Sequence, residues 1–333
     1  MSLVADLSRD DPMAVVRLFV QHLSVSSAGA EVRLDGPVSV RPNSRVFRAV
    51  VHADPPFRVA VKHCLNPQTG LADVAAASQQ YAALKSVYEA LGGCRSHSYL
   101  VARPLCHVPD LATYAMSWID GESLTSKLRI PGVVRDGLRW FGNVGAWLGR
   151  FHSAGPVAER TVNLDERLAV VESLRGIGLT HPAFGRGLDV LRRSSSALRT
   201  LKVRISWLHG DCKTDNFLLC GDDTFGIDIG LAYENAVEYD LAMWLNNFHL
   251  VLSAPAKLHV SWLQGDLEEA FWNGYRSTGP GVSPEYVDWL RLSLILPFWY
   301  STMTGSHSGI RKWLLNRIFA SLSRRLILRI EDR

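Results

Sequence analysis

The stretch Trp207-Leu-His-Gly-Asp211-Cys-Lys-Thr-Asp-Asn216-Phe-Leu-Leu219 sets a short polar loop between apolar runs, and Asp228 follows Asn216 by twelve residues within Gly226-Ile-Asp-Ile-Gly230. Transfer of a phosphoryl group needs an aspartate beside the acceptor hydroxyl, together with an amide oxygen and a second carboxylate to hold the cation that bridges the phosphates of ATP. Asp211, Asn216 and Asp228 supply these three types from one loop and one strand end. The bland alternative is that Asp and Asn cap the turns of a loop; order and spacing favour the chemical reading.

That order resembles the aminoglycoside phosphotransferase and choline kinase superfamily, whose catalytic loop has the form H-x-D-x-x-x-x-N followed by an I-D-x-G-like metal segment. The resemblance implies that Asp211 is the catalytic base or hydroxyl-orienting residue, that Asn216 and Asp228 are Mg²⁺ ligands, and that His209 braces the loop rather than carrying a proton. Glu238-Tyr-Asp240-Leu-Ala242 resembles the family's D-L-A, whose Asp is a buried partner of the catalytic loop. Val144 to His152 resembles the helix end that precedes the loop, and Met116-Ser-Trp-Ile-Asp-Gly121-Glu-Ser-Leu124 resembles the hinge. Met116, Ser117 and Ile119 are thereby expected to present backbone groups to adenine.

Val59-Ala-Val-Lys62 has the form of the strand whose lysine contacts the α- and β-phosphates. The turn Arg41–Arg45, which contains Ser44 and no glycine, resembles the phosphate-covering loop. In the family a glutamate on the next helix pairs with the lysine; Ser78 to Leu84 offers Gln80 instead. An amide accepts a hydrogen bond but does not neutralise an ammonium, so either Gln80 serves, or Asp73 or Glu89 takes the role, or the positioning of Lys62 is compromised. The resemblance runs from about Val38 to Leu245.

Elements to position these residues are legible around them. Val38–Val40, Val46–Val51 and Phe57–Lys62 read as strands, Leu71–Leu91 as a helix, and Tyr99–Arg103 and Thr113–Trp118 as further strands. Gly137–His152 and Ala183–Leu201 have helical periodicity, and Ile205–Leu208, Phe217–Leu219 and Phe225–Ile229 are strand-like pieces. Asp11–Ser24 reads as a lead-in helix. The resemblance therefore implies an α+β, bilobal protein-kinase-like fold, with an N-terminal antiparallel-sheet lobe over residues 1–117 and a mainly helical C-terminal lobe over 118–333.

Composition bounds what else the chain does. With 47% hydrophobic and 20% charged residues over 333 positions, it has the make-up of a folded protein with a sizeable core. A formal charge of +4 with scattered basic residues argues against a nucleic-acid partner. Five cysteines without a CxxC pair suit a reducing cytoplasm, and Cys212, next to Asp211, reads as a small buried hydrophobe. No apolar leader segment follows Met1 and no run of about 18 apolar residues occurs, so no membrane span is expected. Arg311–Arg333 is a basic amphipathic pattern that fits either a closing helix or peripheral contact with a membrane surface.

The expected activity is in-line transfer of the ATP γ-phosphoryl group, with Mg²⁺, to a hydroxyl of a small molecule or glycan such as an aminoglycoside or other antibiotic, a sugar or an amino alcohol. A protein acceptor is disfavoured: Asp240 comes twelve residues after Asp228, with no A-P-E-like segment and little room for an activation loop. Two alternatives belong to other classes. A nucleotide-binding pseudokinase or regulatory scaffold would account for Gln80 and the glycine-free turn, and a metal-dependent phosphohydrolase would use His209 and Asp211 as ligands among further His/Asp pairs.

Overall fold

Phe47, Ala49 and Val51 recur at every second position, the period that buries one face of a strand. In the computed structural model of the protein, residues 31–52, 54–92, 99–129, 134–174, 181–230, 234–253, 262–306 and 309–333 are described, with Gln21. The lead-in helix expected over Asp11–Ser24 falls outside them except at Gln21. The chain divides into two units, Met1–Gly121 with Phe225–Gly230, and Glu122–Thr224 with Leu231–Arg333.

The first unit is built on an antiparallel sheet. Its strands are β1 (Glu31–Leu34), β2 (Ser39–Arg41), β3 (Ser44–His52), β4 (Phe57–Cys64), β6 (Pro104–Val108) and β7 (Thr113–Ser117), with β5 (Tyr99–Val101) lying between β4 and β6 in sequence. The order across the sheet is β1-β3-β4-β7-β6, and β2 pairs with β3 in a hairpin whose Arg41↔Ser44 register leaves Pro42 and Asn43 as the turn. Val59 and Val61 of the central strand join Phe47, Ala49, Val51, Val108, Leu111 and Ala115 in one buried cluster. Alternation sends Ala60, Lys62 and Cys64 to the opposite face. There helix α1 (Val74–Ala90), capped by Asp73 through the Ala76 N–H at 2.9 Å, brings Gln80 against Cys64 and Tyr114.

The second unit is mainly helical: α2 (Leu124–Lys127), α3 (Val134–Ala154), α4 (Asp165–Glu172), α5 (Pro182–Leu198), α6 (Glu238–Leu252), α7 (Gln264–Thr278), α8 (Pro284–Thr304) and α9 (Gly309–Glu331). Short strands β8 (Glu122–Ser123), β9 (Ala158–Thr161), β10 (Lys202–Trp207), β11 (Phe217–Cys220), β12 (Asp223–Gly226, reaching into the first unit) and β13 (Glu234–Ala236) accompany them, with β10 central between β13 and β9. The protein is thus α+β, with its main sheet in the N-terminal part and its helices in the C-terminal part, as the sequence implied. Trp289 and Trp299 are fully buried where α5, α8 and α9 meet; each indole N–H is satisfied, by the Leu191 carbonyl at 3.0 Å and by Asn316 Oδ1 at 2.8 Å.

Helices α3 and α7 approach unusually closely because glycines face each other. A Cβ added to Gly274 would lie 1.9 Å from the Gly142 carbonyl oxygen, and one added to Gly145 would lie 2.0 Å from that of Phe271. Only glycine lets two helix backbones meet at this distance. The consequence is a rigid seat for residues at the end of α3. No helix among the described residues is long and apolar enough to cross a membrane.

Candidate active site

β10 delivers the chain to the loop that holds Asp211, and that loop is fastened by a buried carboxylate. Asp240, in the first turn of α6, accepts the backbone N–H of His209 at 2.5 Å on Oδ2 and that of Gly210 at 3.1 Å on Oδ1. Gly210 has φ +78°, the left-handed region open to glycine at little cost, which lets two successive N–H groups reach one carboxylate. His152, at the end of α3, reaches the same Asp240 Oδ2 through Nε2 at 3.2 Å, while Nδ1 stands 3.1 Å from the Tyr275 hydroxyl on α7. An ionised Asp240 only accepts, so Nε2 carries the His152 proton and Nδ1 accepts from Tyr275. The close packing of α3 on α7 thereby fixes the histidine, and through Asp240 the loop that holds Asp211. His209 itself packs its ring on Trp147 and Phe217.

Further along, Thr214–Asn216 forms a 3₁₀ turn. Asn247 Oδ1 on α6 accepts from the Thr214 N–H at 2.9 Å and from its hydroxyl at 3.0 Å. Asn216 is fully buried and donates through Nδ2 to the Asp211 carbonyl at 2.8 Å and to Asp211 Oδ2 at 2.9 Å. Both amide protons are then used on Asp211, and the amide oxygen Oδ1 is left buried with no hydrogen-bond partner among the described residues. A buried acceptor without a donor costs about 1–3 kcal/mol. A hard cation would offset that cost, so this oxygen fits a Mg²⁺ ligand. Asp211 keeps its side chain 46% exposed and receives Lys213 Nζ on Oδ2.

Asp228 belongs to the first unit and follows β12 with φ +55°, a rarely occupied region for a non-glycine residue. Its carboxylate is clamped by two cations of that unit, Lys62 Nζ on Oδ1 at 2.8 Å and Arg41 Nη1 on Oδ2 at 3.2 Å. Burial opposes the Lys62 charge, but the negative charge Tyr114 gains once it ionises at high pH and the Asp228 carboxylate outweigh it, and its pKa is raised. Lys62 is therefore a permanent cation.

Gln80 does not partner Lys62. Its Oε1 accepts from the Tyr114 hydroxyl at 3.3 Å and from Cys64 Sγ at 3.7 Å, so it holds the two side chains flanking the lysine. Burial drives those two groups up, Tyr114 to about 12 and Cys64 to about 11, so both stay neutral beside the ammonium. Asp73 is occupied as the α1 cap, and Glu89 is exposed. Ser44 is buried opposite Cys64 in the β3–β4 register. Met116 pairs with Ala60 across β4–β7; the Ser117 N–H donates to the Arg103 carbonyl and its hydroxyl accepts the Arg103 N–H, each at 2.8 Å; Ile119 follows, half-buried. Asn216 and Lys213 thus gather on Asp211 in the second unit, while Lys62 and Arg41 gather on Asp228 in the first.

Two of these contacts were not singled out in the sequence. Lys213 was visible beside Asp211 only as a neighbour in the loop, and the register Arg41↔Ser44 turns Arg41 toward Asp228 without any local pattern to announce it. Among the described residues no three His, Cys, Asp or Glu side chains gather as metal ligands, the arrangement that a phosphohydrolase built on His209 and Asp211 would need. The described cysteines, Cys64, Cys106, Cys212 and Cys220, are all free; Cys94 lies outside the described residues. Burial drives the Cys212 thiol well above its usual range, which leaves it inert next to Asp211.

Glu238 opens the same helix as Asp240 and carries a pH signature. Burial pushes its pKa up to about 7; Oε1 accepts from the Ser283 N–H at 3.3 Å, and Oε2 is buried without a partner among the described residues. Folded protein retains a proton there that the unfolded chain gives up near pH 4.5, so stability falls as pH rises from about 4.5 to 7 and stays lower above that window. Glu238→Gln removes the titration. In urea melts the variant should lose less stability than the wild type between those pH values, by up to about 3 kcal/mol, and equal slopes would refute the assignment.

A family model described as "Phosphotransferase enzyme family" matches residues 42–282. Among solved structures, an amicoumacin kinase in complex with AMP-PNP and Ca²⁺ superposes with TM-score 0.59 at 13% identity, covering 98% of this chain and 96% of that one. A choline kinase from Streptococcus pneumoniae gives 0.54 at 14%, covering 94% and 99%. A glucosamine kinase in complex with glucosamine, ADP and inorganic phosphate gives 0.59 at 12%, covering 90% and 96%. No curated protein matches the sequence.

Proposed function

The chain belongs to the phosphotransferase enzyme family, and on that footing we propose that it moves the γ-phosphoryl group of ATP to a hydroxyl of a small molecule, with Mg²⁺ as the cation. The observation that carries the reading is the loop geometry: Asp211 accepts from Lys213 and Asn216, yet remains half exposed, and the amide oxygen of Asn216 stands without a donor among the described residues. Structures that share the fold have names that include amicoumacin, choline and glucosamine kinases. Amino-bearing alcohols are accordingly the acceptor class to try first.

In this reading Asp211 accepts a hydrogen bond from the acceptor hydroxyl and draws its proton as the oxygen attacks the γ-phosphorus. The bond to the bridging oxygen of ADP breaks, and that oxygen leaves with the electron pair. Lys213 limits the negative charge at Asp211 and orients its carboxylate. Asn216 Oδ1 and the Asp228 carboxylate are the groups that would hold Mg²⁺, which when bound offsets phosphate charge. Lys62 supplies a fixed cation for the α- and β-phosphates, while Met116, Ser117 and Ile119 lie on the segment that would present backbone groups to adenine.

ADP release in the presence of Mg²⁺, measured across aminoglycosides, amino sugars, choline-like amines and nucleoside antibiotics, tests the proposal; release that rises with one acceptor class supports it, and release indifferent to every acceptor counts against it. Lys62→Met removes a charge-assisted contact of about 1.5–3 kcal/mol. It is expected to lower kcat/KM for ATP by about 10- to 100-fold, with the loss mainly in KM. An unchanged KM for ATP would remove Lys62 from the nucleotide site.

A further inference from the structure

Helix α9 presents an outward stripe that the fold does not use. Ile310, Trp313, Arg317, Ser321, Arg324 and Leu328 follow one another at spacings of three and four, so they share one face. All six are exposed; Ile310 is 84%, Trp313 59% and Leu328 52% accessible. The opposite face, with Phe319, Leu322, Leu326 and Ile327, is buried against the second unit's core. Leu328 and the Ile310–Trp313 pair thus stand at the two ends of the stripe with cations between them, and the Arg317 guanidinium lies 5.0 Å over the Trp313 ring.

The charge along this stripe is positive up to Glu331, which ends the helix and is taken up by Arg186 and Arg193. From Leu292 to Ile330 the sequence contains six Lys and Arg and no Asp or Glu. Arg329 is spent on Glu268 and Asp288, and Arg325 on Gln264. Arg311, Lys312, Arg317 and Arg324 make no ion pair with any described residue. Cations left without ion pairs among the described residues, beside large apolar side chains left in water, are the two components of a surface that lies in a lipid headgroup layer: arginine and lysine meet phosphates, while tryptophan and isoleucine enter the acyl boundary. A polyanion such as nucleic acid would use the cations but leave Ile310 and Leu328 exposed.

We propose that the outward face of α9 docks peripherally on an anionic bilayer, with the helix axis in the membrane plane. The assignment rests on this stripe alone and is independent of the phosphotransferase reading.

Flotation of the full-length protein with vesicles of phosphatidylcholine containing phosphatidylglycerol, against vesicles of phosphatidylcholine alone, tests it. The expected result is partition to the anionic vesicles that is lost at about 0.5 M salt, where surface charges are screened within a few ångströms. Arg317→Gln with Arg324→Gln should weaken partition by about 30-fold, the worth of two cations at such a surface. Trp313→Ser with Ile310→Ser should weaken it by about 10-fold or more. Since all four positions are on the surface, thermal midpoints should hold. Absence of binding to anionic vesicles at low salt, equal binding to both vesicle types, or binding that both double variants leave unchanged would overturn the proposal. So would a lipid-free dimer that the Trp313 and Ile310 changes dissolve, because the stripe would then belong to a second copy of the chain.

Discussion

Asp211→Asn should lower acceptor-dependent turnover by about 10²- to 10⁴-fold, the usual worth of a positioned general base, while leaving the KM for ATP within a few-fold of wild type. The change removes charge and basicity but keeps the volume. The loop should survive it: Asn216 still has the Asp211-position backbone carbonyl at 2.8 Å, and the His209 and Gly210 N–H groups remain on Asp240. A thermal midpoint equal to wild type would separate lost chemistry from lost structure. Turnover within ten-fold of wild type, in a folded variant, would take the base role away from Asp211.

Gly274→Val should cost about 3 kcal/mol or more, lowering the thermal midpoint by about 4 °C or more. The added Cβ would meet the Gly142 carbonyl, a backbone group that cannot rotate aside, so α3 and α7 must separate. Separation pulls Tyr275 from His152, and with it one support of Asp240. Activity should therefore fall further than the unfolded fraction explains. Gly185→Ala is the contrasting case: nothing lies within 4 Å of its Cβ, it sits inside helix α5, and the substitution should stabilise by about 0.5–1 kcal/mol. Were the two variants equally tolerated in scanning calorimetry, the close-packed α3–α7 contact would not be a structural requirement.

Legibility differed from element to element for physical reasons. Val59-Ala-Val-Lys62 could be read because burial of a central strand demands an apolar run, and Asp211, Asn216 and Asp228 stood out because they are the types that a divalent cation and an attacking hydroxyl would call for. β1 and β9 were missed: Glu31-Val-Arg-Leu34 and Ala158-Glu-Arg-Thr161 lack apolar alternation, and β9 is wholly exposed, ordered by its ladder to β10. β6 begins at Pro104 and mixes Cys and His, which hides its period. Gly142, Gly145 and Gly274 read as weak points in helices, whereas they are the contact surface. The carboxylate for Lys62 was sought on the helix that follows the lysine strand, where Gln80 stands. In this structure it comes from Asp228, 166 residues away, a pairing that register and tertiary contact create and no local pattern announces.

The fate of the γ-phosphoryl group is the most direct test of the account. Following ATP by ³¹P NMR with Mg²⁺ and an amino-bearing alcohol, the account predicts a phosphomonoester resonance on the acceptor that grows in step with ADP and is abolished by Asp211→Asn. Inorganic phosphate growing in step with ADP at the same rate with and without acceptor would contradict it, and would make the protein a nucleotide hydrolase instead.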